Sequence, residues 1–377
     1  MNNQTEKKQF LKIPLVQSVL TSLFCIFAGL LIGFVVLLII NPNEAAKAIS
    51  VIIKNYFWYP NPMMARRAFG TTLVKTAPLL MCSLSVLFAY KTGLFNIGAA
   101  GQYVAGAGVA MYFALKLGAP WYVCLVMAVL AGAILGSISG FLKAKCNVNE
   151  VISCIMLNWI SLYCVNMLLS PVKEPTSPHV VALLNTNPKG ALPTLGLGKL
   201  FGKNKYVTVA IFLAVIMAVI IWILLDKTKF GYELKATGLN KHAAKYCGMN
   251  ENRNIIVTMA IAGGLAGMGA AFYYLSGFEQ WSCSSTNLPA MGFNGIAAAF
   301  LGGLHPIGAI FSSYFIQHIT DGGTLINKSV YSSQISDLIS SIIIYLCGFV
   351  LFLKMVLNNI LAKKEKETAN ANASDTE

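Results

Sequence analysis

The chain has 377 residues, of which 56% are hydrophobic and 11% are charged. Soluble domains carry about 25% charged residues, so this composition excludes a soluble enzyme or a nucleic-acid-binding protein and indicates an all-α integral membrane protein. The net charge of +14 fits Lys and Arg that flank membrane spans and face anionic membrane lipid, and it does not point to nucleic acid.

Apolar stretches follow one another along the chain, and a bilayer core about 30 Å thick needs about 20 apolar residues per helix. This criterion predicts spans at residues 15–40, 72–90, 93–115, 118–142, 150–170, 206–225, 254–275 and 337–354. Region 286–320 is composite, because His305-Pro306 divides it into two halves that are each shorter than a full span.

The number of spans depends on this composite region, which gives nine spans if it crosses once and ten if it crosses twice. Ten spans place both termini on one side, and the charges favour this count. Lysines before the first span, after the last span and in loop 226–253 would then all be cytoplasmic. We therefore expect a cytoplasmic N-terminus at 1–14, a transmembrane domain at 15–354 and a disordered cytoplasmic tail at 355–377.

Glycines and amides interrupt two of the predicted spans. Gly93-Leu-Phe-Asn-Ile-Gly98 precedes Gly101-Gln102, and Gly292-Phe-Asn-Gly-Ile-Ala297 carries a related string. Such glycines fit either a broken membrane helix or close helix packing, and Asn96 favours a break because a buried amide needs a partner. Two related broken segments predict an internal repeat along a transport pathway, with chance similarity as the alternative.

A third unusual stretch begins at Asn149. Glu150 and Asn158 are eight residues apart, which places them near one face of a helix. Glu150 is either a pathway residue or an interfacial carboxylate neutralised by Lys143 or Lys145. The predicted pathway residues, whose amides would bond a solute and whose rings would stack on it, are Phe95, Asn96, Gln102, Glu150, Asn158, Phe293 and Asn294.

Other features favour packing over chemistry. Glycines spaced by four at Gly132, Gly136 and Gly140 predict a close helix pair. His305 and His318 have no partner at ligand spacing, so we predict structural roles and no metal site. Cysteines within the apolar runs, among them Cys164 and Cys347, are predicted to pack as small apolar residues.

Loop 226–253 is polar but patterned. Leu239, Ala243 and Tyr246 fall at helical spacing between Gly231 and Gly248, which predicts either a short amphipathic helix for a partner or a solvated connector. The sequence contains no G-x-x-x-x-G-K-[ST] phosphate-binding loop, and no pattern of residues indicates catalysis. Any ATP must therefore be hydrolysed on another polypeptide.

These motifs resemble the permease subunits of ABC importers for branched-chain amino acids, simple sugars and nucleosides. The resemblance covers most of the chain, and the strings Asn149-Glu-Val-Ile and Ile155-Met-Leu-Asn158 are most similar to the nucleoside branch, whose binding proteins are basic-membrane-protein-like lipoproteins. Nucleoside-type members commonly have Glu at the position of Ala100 and Asp at the position of Asn294, which leaves the substrate open between a nucleoside and a sugar.

The resemblance implies a multi-pass permease in a prokaryotic cell membrane. It works with ABC ATPase subunits that carry ATP and Mg, with an identical or different second permease subunit, and with an extracytoplasmic binding lipoprotein. The chain itself needs no cofactor. The resemblance also implies a coupling helix that includes Gly238, Leu239, Asn240, Ala243, Ala244, Tyr246 and Gly248. The alternatives are an ion- or proton-coupled transporter, with Glu150 as its site, and a structural membrane protein.

Overall fold

The computed structural model describes residues 14–327 and 329–331, together with scattered positions between 338 and 359. Over this part the chain is helical, and its pairs of β-type residues are limited to isolated bridges. The helices of six or more residues are α1 (Pro14–Ile40), α2 (Pro42–Lys54), α3 (Pro62–Lys91), α4 (Ala99–Leu115), α5 (Trp121–Cys146), α6 (Glu150–Leu169), α7 (Ala210–Lys227), α8 (Lys229–Leu239), α9 (Lys241–Tyr246), α10 (Glu251–Tyr274), α11 (Ala290–Leu301) and α12 (Pro306–Gly323).

Asparagine followed by proline starts two of these helices. The side chains of Asn41 and Asn61 accept hydrogen bonds from the backbone N–H groups of Asn43 and Met63, and proline occupies the first helical position after each cap. Asparagine satisfies the free N–H groups of a first turn, and proline has no N–H to lose there. The local sequence therefore fixes where α2 and α3 begin.

Six of the described helices are long and apolar enough to cross a membrane, namely α1, α3, α5, α6, α7 and α10, and two shorter apolar helices are α4 and α11. Helices α3 and α10 lie at the centre, with 89% and 72% of their apolar windows buried. The outer helices expose apolar side chains such as Ile134, Ile160 and Ile216, which suit contact with lipid.

The glycine stripe of α5 packs directly against α10, as the spacing of four predicts. A Cβ added at Gly136 would lie 2.1 Å from the carbonyl oxygen of Met259, and one at Gly263 would lie 2.1 Å from that of Gly132. Real Cβ atoms do not approach backbone this closely, so the two helices touch without side chains between them. The predicted packing role of these glycines is confirmed.

The structure corrects several predicted boundaries. Residues 93–98 are not part of a helix, because α3 ends at Lys91 and α4 begins at Ala99. Segment 41–71, predicted to be a loop, contains α2 and the first ten residues of α3. The apolar face of α2 is formed by Ala45, Ala48, Val51 and Ile52, and it was hidden by the charged residues Glu44, Lys47 and Lys54 of the same helix. Cys164 is exposed, contrary to its predicted packing.

Other predictions concern the composite region and the chain ends. Region 286–320 forms two helices, α11 and α12, as its division predicts. At 1.5 Å per residue, the 12 residues of α11 extend about 18 Å, which is less than a bilayer core of about 30 Å. The predicted span 337–354 is described only at scattered positions, and Cys347, residues 1–13 and most of the tail lie outside the described residues.

The bundle has two ends that matter for function. We call the end that carries α8 and α9 the loop face. The opposite end, which we call the cleft face, carries α2, segment 170–209 and segment 275–289. Gly322 at the end of α12 packs against Ile52 of α2 at the cleft face. Segment 92–98 lies at the loop face, since Gly93 contacts Gly238 of α8.

We expect Gly136→Val to destabilise the protein by about 1–3 kcal/mol, as overpacking of a filled interface does, because α5 and α10 must separate to make room. Ile134→Val, on the exposed face of the same helix, is the matched control and should change stability by less than about 0.5 kcal/mol. Melting temperatures of the purified variants in detergent measure both effects. Equal melting temperatures would contradict the α5–α10 contact.

Candidate functional site

The chain reverses between α3 and α4 through a turn built around Gly93. Gly93 has φ of 75°, a left-handed conformation that favours glycine. Its N–H donates to the carbonyl oxygen of Tyr90 at 3.0 Å, and the N–H of Leu94 donates to that of Ala89 at 3.0 Å. These paired bonds close the C-terminus of a helix, so the sequence itself ends α3 at this position.

Two buried amides hold the segment after this turn. Asn96 Nδ2 donates to Gln102 Oε1 at 2.8 Å, and Gln102 Nε2 donates back to Asn96 Oδ1 at 3.1 Å. Asn96 Nδ2 also donates to Ser85 Oγ at 3.0 Å. Asn96 and Gln102 are 0% and 1% exposed, so these bonds replace water and tie the turn to both α3 and α4.

The N-terminus of α4 receives its cap from another helix. Its own cap residue is Gly98, which has no side chain to accept a bond. Asn158 of α6 supplies the missing acceptor, because its Oδ1 accepts from the N–H of Gly101 at 2.8 Å. Its Nδ2 donates to the carbonyl oxygen of Ile97 at 3.1 Å, and Ser161 Oγ donates to that of Gly101 at 2.9 Å. The interruption between α3 and α4, residues 92–98, is therefore hydrogen-bonded to α6 through Asn158 and is held there at the start of α4 through Ser161.

The structure brings four predicted pathway residues together at this interruption. Asn96, Gln102 and Asn158 are buried there, and Phe95 is half-buried beside them. All three amides bond the protein in this conformation. Glu150 begins α6, and its Oε2 lies 2.8 Å from Lys143 Nζ, which is the neutralised arrangement that was one of its two sequence-based interpretations.

Phe293 and Asn294 lie on α11, which touches the interruption. A Cβ added at Gly292 would lie 2.4 Å from the Cα of Ala100, so α11 and α4 meet backbone to backbone. Phe293 is 38% exposed, and Asn294 is half-buried with no hydrogen-bond partner among the described residues. Ala100 is fully buried in this contact, which leaves no space for a larger side chain at this position.

A second turn of the same kind ends α11. Gly303 has φ of 66°, its N–H donates to Phe300 O at 2.9 Å, and the N–H of Leu304 donates to Ala299 O at 2.9 Å. The turns share the pattern Gly-Leu-x-x-Ile-Gly-Ala at residues 93–99 and 303–309. The repeat predicted from the sequence instead pairs Gly93–Gly98 with Gly292–Ala297, and the latter segment lies inside α11. The rings of Tyr90 and Phe300 meet at 5.4 Å between the two turns.

The predicted coupling loop contacts the first turn directly. A Cβ added at Gly238 would lie 2.4 Å from the carbonyl carbon of Thr92, and one added at Gly93 would lie 2.7 Å from the carbonyl oxygen of Gly238. The neighbouring Thr237 Oγ1 accepts from Asn254 Nδ2 of α10 at 2.8 Å. The end of α8 is therefore fixed against both α3 and α10.

The loop forms two helices instead of the single predicted one. Asn240 has φ of −156° and ends α8, and its side chain accepts from the N–H groups of His242 and Ala243 to begin α9. Asparagine favours such a cap over a helix interior. Of the predicted coupling residues, Gly238 and Ala244 lie against the bundle, whereas Leu239, Asn240, Ala243, Tyr246 and Gly248 are exposed. Leu239 and Tyr246 are 89% and 94% exposed.

A partly buried ion pair between α3 and α12 was not predicted from the sequence. Lys75 Nζ lies 2.8 Å from Asp321 Oδ1, and Gln317 Nε2 donates to the same oxygen at 3.1 Å. The other carboxylate oxygen of Asp321 is buried and has no hydrogen-bond partner among the described residues. The sequence feature that could have indicated this ion pair is Lys75, because a lysine within the predicted span 72–90 needs a partner there.

Both histidines singled out in the sequence make structural contacts. His305 Nδ1 accepts from the N–H of Ile307 at 3.2 Å and caps α12. His318 Nε2 lies 2.9 Å from the carbonyl oxygen of Ile53, next to α2. These contacts place one histidine at the break between α11 and α12 and the other at the cleft face.

Comparisons with known proteins connect this geometry to a function. Residues 68–348 match the model of the family described as "Branched-chain amino acid transport system / permease component". The guanosine ABC transporter permease protein NupP of Bacillus subtilis is 31% identical over 305 residues, which cover 80% of this chain and 85% of the relative. No solved structure matches the chain with significant similarity.

Two further relatives carry related functions in their names. The nucleoside ABC transporter permease protein NupB of Lactococcus lactis is 29% identical over an alignment that covers 97% of this chain and 98% of the relative. The glucose ABC transporter permease protein TsgB13 of Haloferax volcanii is 28% identical, with 68% of this chain and 70% of the relative covered.

We expect Asn158→Leu to destabilise the protein by about 2–6 kcal/mol, since it leaves the N–H of Gly101 and the C=O of Ile97 unbonded at about 1–3 kcal/mol each. Asn294→Leu is the matched control, because Asn294 has no hydrogen bond to lose among the described residues. Melting temperatures in detergent compare the two. An Asn158→Leu protein as stable as Asn294→Leu would exclude the capping role of Asn158.

Proposed function

Because this chain belongs to the branched-chain amino acid transport system permease family and is the permease subunit of an ABC importer, we propose that it carries a nucleoside inward across the cell membrane. The permease subunit is not itself an enzyme, and ATP is hydrolysed on a separate ATPase subunit. The two relatives with the greatest coverage are named for guanosine and nucleoside transport, which supports a nucleoside over a sugar.

The contact between Gly238 and the Thr92–Gly93 turn carries the coupling proposal. Exposed α9 residues would contact the ATPase subunits, and α8 would pass their movement to the bundle. With no side chain between Gly238 and the turn, a displacement of α8 has to move the turn or break the contact. The turn is bonded to α4 and α6 through Asn96 and Asn158, so the movement would spread through the bundle.

The predicted pathway residues take two roles in this proposal. Asn96, Gln102 and Asn158 hold the interruption that the ATPase would move, and Phe95 lies beside it. Phe293 and Asn294 contact the solute, because α11 leaves them partly exposed and Asn294 keeps a free amide. A purine or pyrimidine ring offers a π-face to Phe293 and hydrogen-bonding edges to Asn294. Glu150, paired with Lys143, bounds the pathway at the loop face.

We also propose an arrangement of ten crossings with both termini in the cytoplasm. The loop face, with α8 and α9, would face the cytoplasm, and the cleft face would meet a binding lipoprotein. The related turns at 93–99 and 303–309 support an internal repeat that pairs α3 and α4 with α11 and α12. A second permease subunit would complete the pathway, and anionic lipid would surround it.

We expect Ala243→Glu to lower ATP-driven guanosine uptake by at least about tenfold, since a charge introduced at a protein interface costs several kcal/mol. Ala243 is exposed on α9, so the substitution should leave folding intact. Gly238→Ala should also lower uptake, because its methyl group would meet Thr92. Uptake and ATP hydrolysis by the assembled transporter in liposomes measure coupling.

Ala46→Glu is the matched control for Ala243→Glu, because Ala46 is an exposed alanine on α2 at the opposite end of the bundle. Without the lipoprotein, the assembled Ala46→Glu transporter should hydrolyse ATP at the wild-type rate, because α2 lies far from the loop face. Wild-type transport by both Ala243→Glu and Gly238→Ala would remove the coupling assignment. Uptake driven by an ion gradient without any ATPase subunit would contradict the proposed function itself.

A further inference from the structure

The cleft face contains a cavity that none of the assigned roles uses. Its volume is about 450 Å³, within the range of about 300–1,000 Å³ typical of small-molecule sites. Segments 170–209 and 275–289 form most of its wall. The residues that carry the argument are Asn185, Lys205, Tyr206, Phe278, Glu279 and Gln280.

The wall combines rings with free polar groups. Tyr206 and Phe278 meet edge to face, with ring centroids 5.4 Å apart at 85°. The side-chain amides of Asn185 and Gln280 make no hydrogen bond within the described part of the chain. Lys205 and Glu279 contribute opposite charges, so the cavity has no strong preference for an anion or a cation. This lining suits an uncharged solute with a flat ring and several hydrogen-bonding groups.

The floor of the cavity connects to the centre of the bundle. Glu279 accepts a hydrogen bond from the hydroxyl group of Tyr273 of α10 at 2.5 Å. The ring of Phe278 has its centroid 5.6 Å from Lys75 Nζ, and Lys75 is paired with Asp321. A solute on this floor would therefore touch residues that contact α3, α10 and, through Lys75, α12.

We propose that this cavity receives the nucleoside at the cleft face before it crosses. Tyr206 and Phe278 contact the base, the Glu279 carboxylate accepts hydrogen bonds from ribose hydroxyl groups or base N–H groups, and Asn185 and Gln280 bond the remaining polar edges. Displacement of Phe278 and Glu279 by the solute then loosens the floor above the Lys75–Asp321 pair. The assignment of a nucleoside rests on the proposed function.

The test uses the full chain in lipid nanodiscs, without the binding lipoprotein, and tritiated guanosine as the probe. Glu279→Gln removes the charge but keeps an acceptor for Tyr273, and Tyr206→Leu removes a ring. We expect each to weaken guanosine binding by about tenfold, a change that corresponds to the loss of one good contact. Tyr206→Phe, which keeps the ring, should restore binding relative to Tyr206→Leu.

Glu174→Gln is the matched control for Glu279→Gln, because Glu174 lies in the same cleft-face segment but does not line the cavity. It should bind guanosine as the wild type does. Melting temperatures confirm that each variant is folded. Wild-type guanosine binding by both Glu279→Gln and Tyr206→Leu overturns the proposal.

Measuring uptake by the assembled wild-type transporter distinguishes a failure of the cavity proposal from a failure of the proposed nucleoside transport. If ATP-driven guanosine uptake is absent and glucose is transported instead, the proposed function fails and the nucleoside assignment fails with it. If guanosine uptake is present and the two cavity variants bind and transport guanosine like the wild type, the proposed function stands and the cavity assignment alone is wrong.

Discussion

The fold depends on one constraint. Where a helix is broken inside the apolar bundle, the backbone N–H and C=O groups that lose their partners in the helix must be hydrogen-bonded by other parts of the protein. Water is excluded there, and an unbonded buried N–H or C=O group costs about 1–3 kcal/mol. At the first break Asn158 bonds the N–H of Gly101 and the carbonyl oxygen of Ile97, while Asn96 ties the segment to Ser85 and Gln102. At the second, His305 caps α12 and Ser312 donates to the carbonyl oxygen of Ala298. These polar residues position the breaks, and the breaks in turn bring the loop face against the central helices.

Glycine determines how these parts meet. The contacts of α5 with α10, of α4 with α11 and of α8 with the first turn all bring backbone against backbone. Interiors that are packed this closely transmit displacement instead of absorbing it in flexible side chains. The proposed coupling route through Gly238 thus uses the same kind of contact that holds the central helices together.

The amino-acid sequence predicted the elements whose signal is local. Long apolar runs predicted the spans, and the glycine spacing on α5 predicted its contact with α10. The amphipathic helix α2 was missed because its charged residues lower the mean hydropathy of the segment. The break at Asn240 was missed because Leu239 and Ala243 are also spaced as they would be in one continuous helix. Asn158 was singled out, but its partner Gly101 could not be identified, since 57 residues separate them. Lys75 and Asp321 are even farther apart in the sequence, so the spacing of residues along the chain carries no information about their pairing.

That ion pair has a consequence for biosynthesis. Lys75 and Asp321 are separated by 246 residues, so the ribosome completes α3 long before the carboxylate that neutralises it. Throughout that interval the nascent helix carries an ammonium group that bilayer lipid solvates poorly. The ion pair can therefore form only after α12 has been synthesised, and until then α3 lacks its neutralising partner.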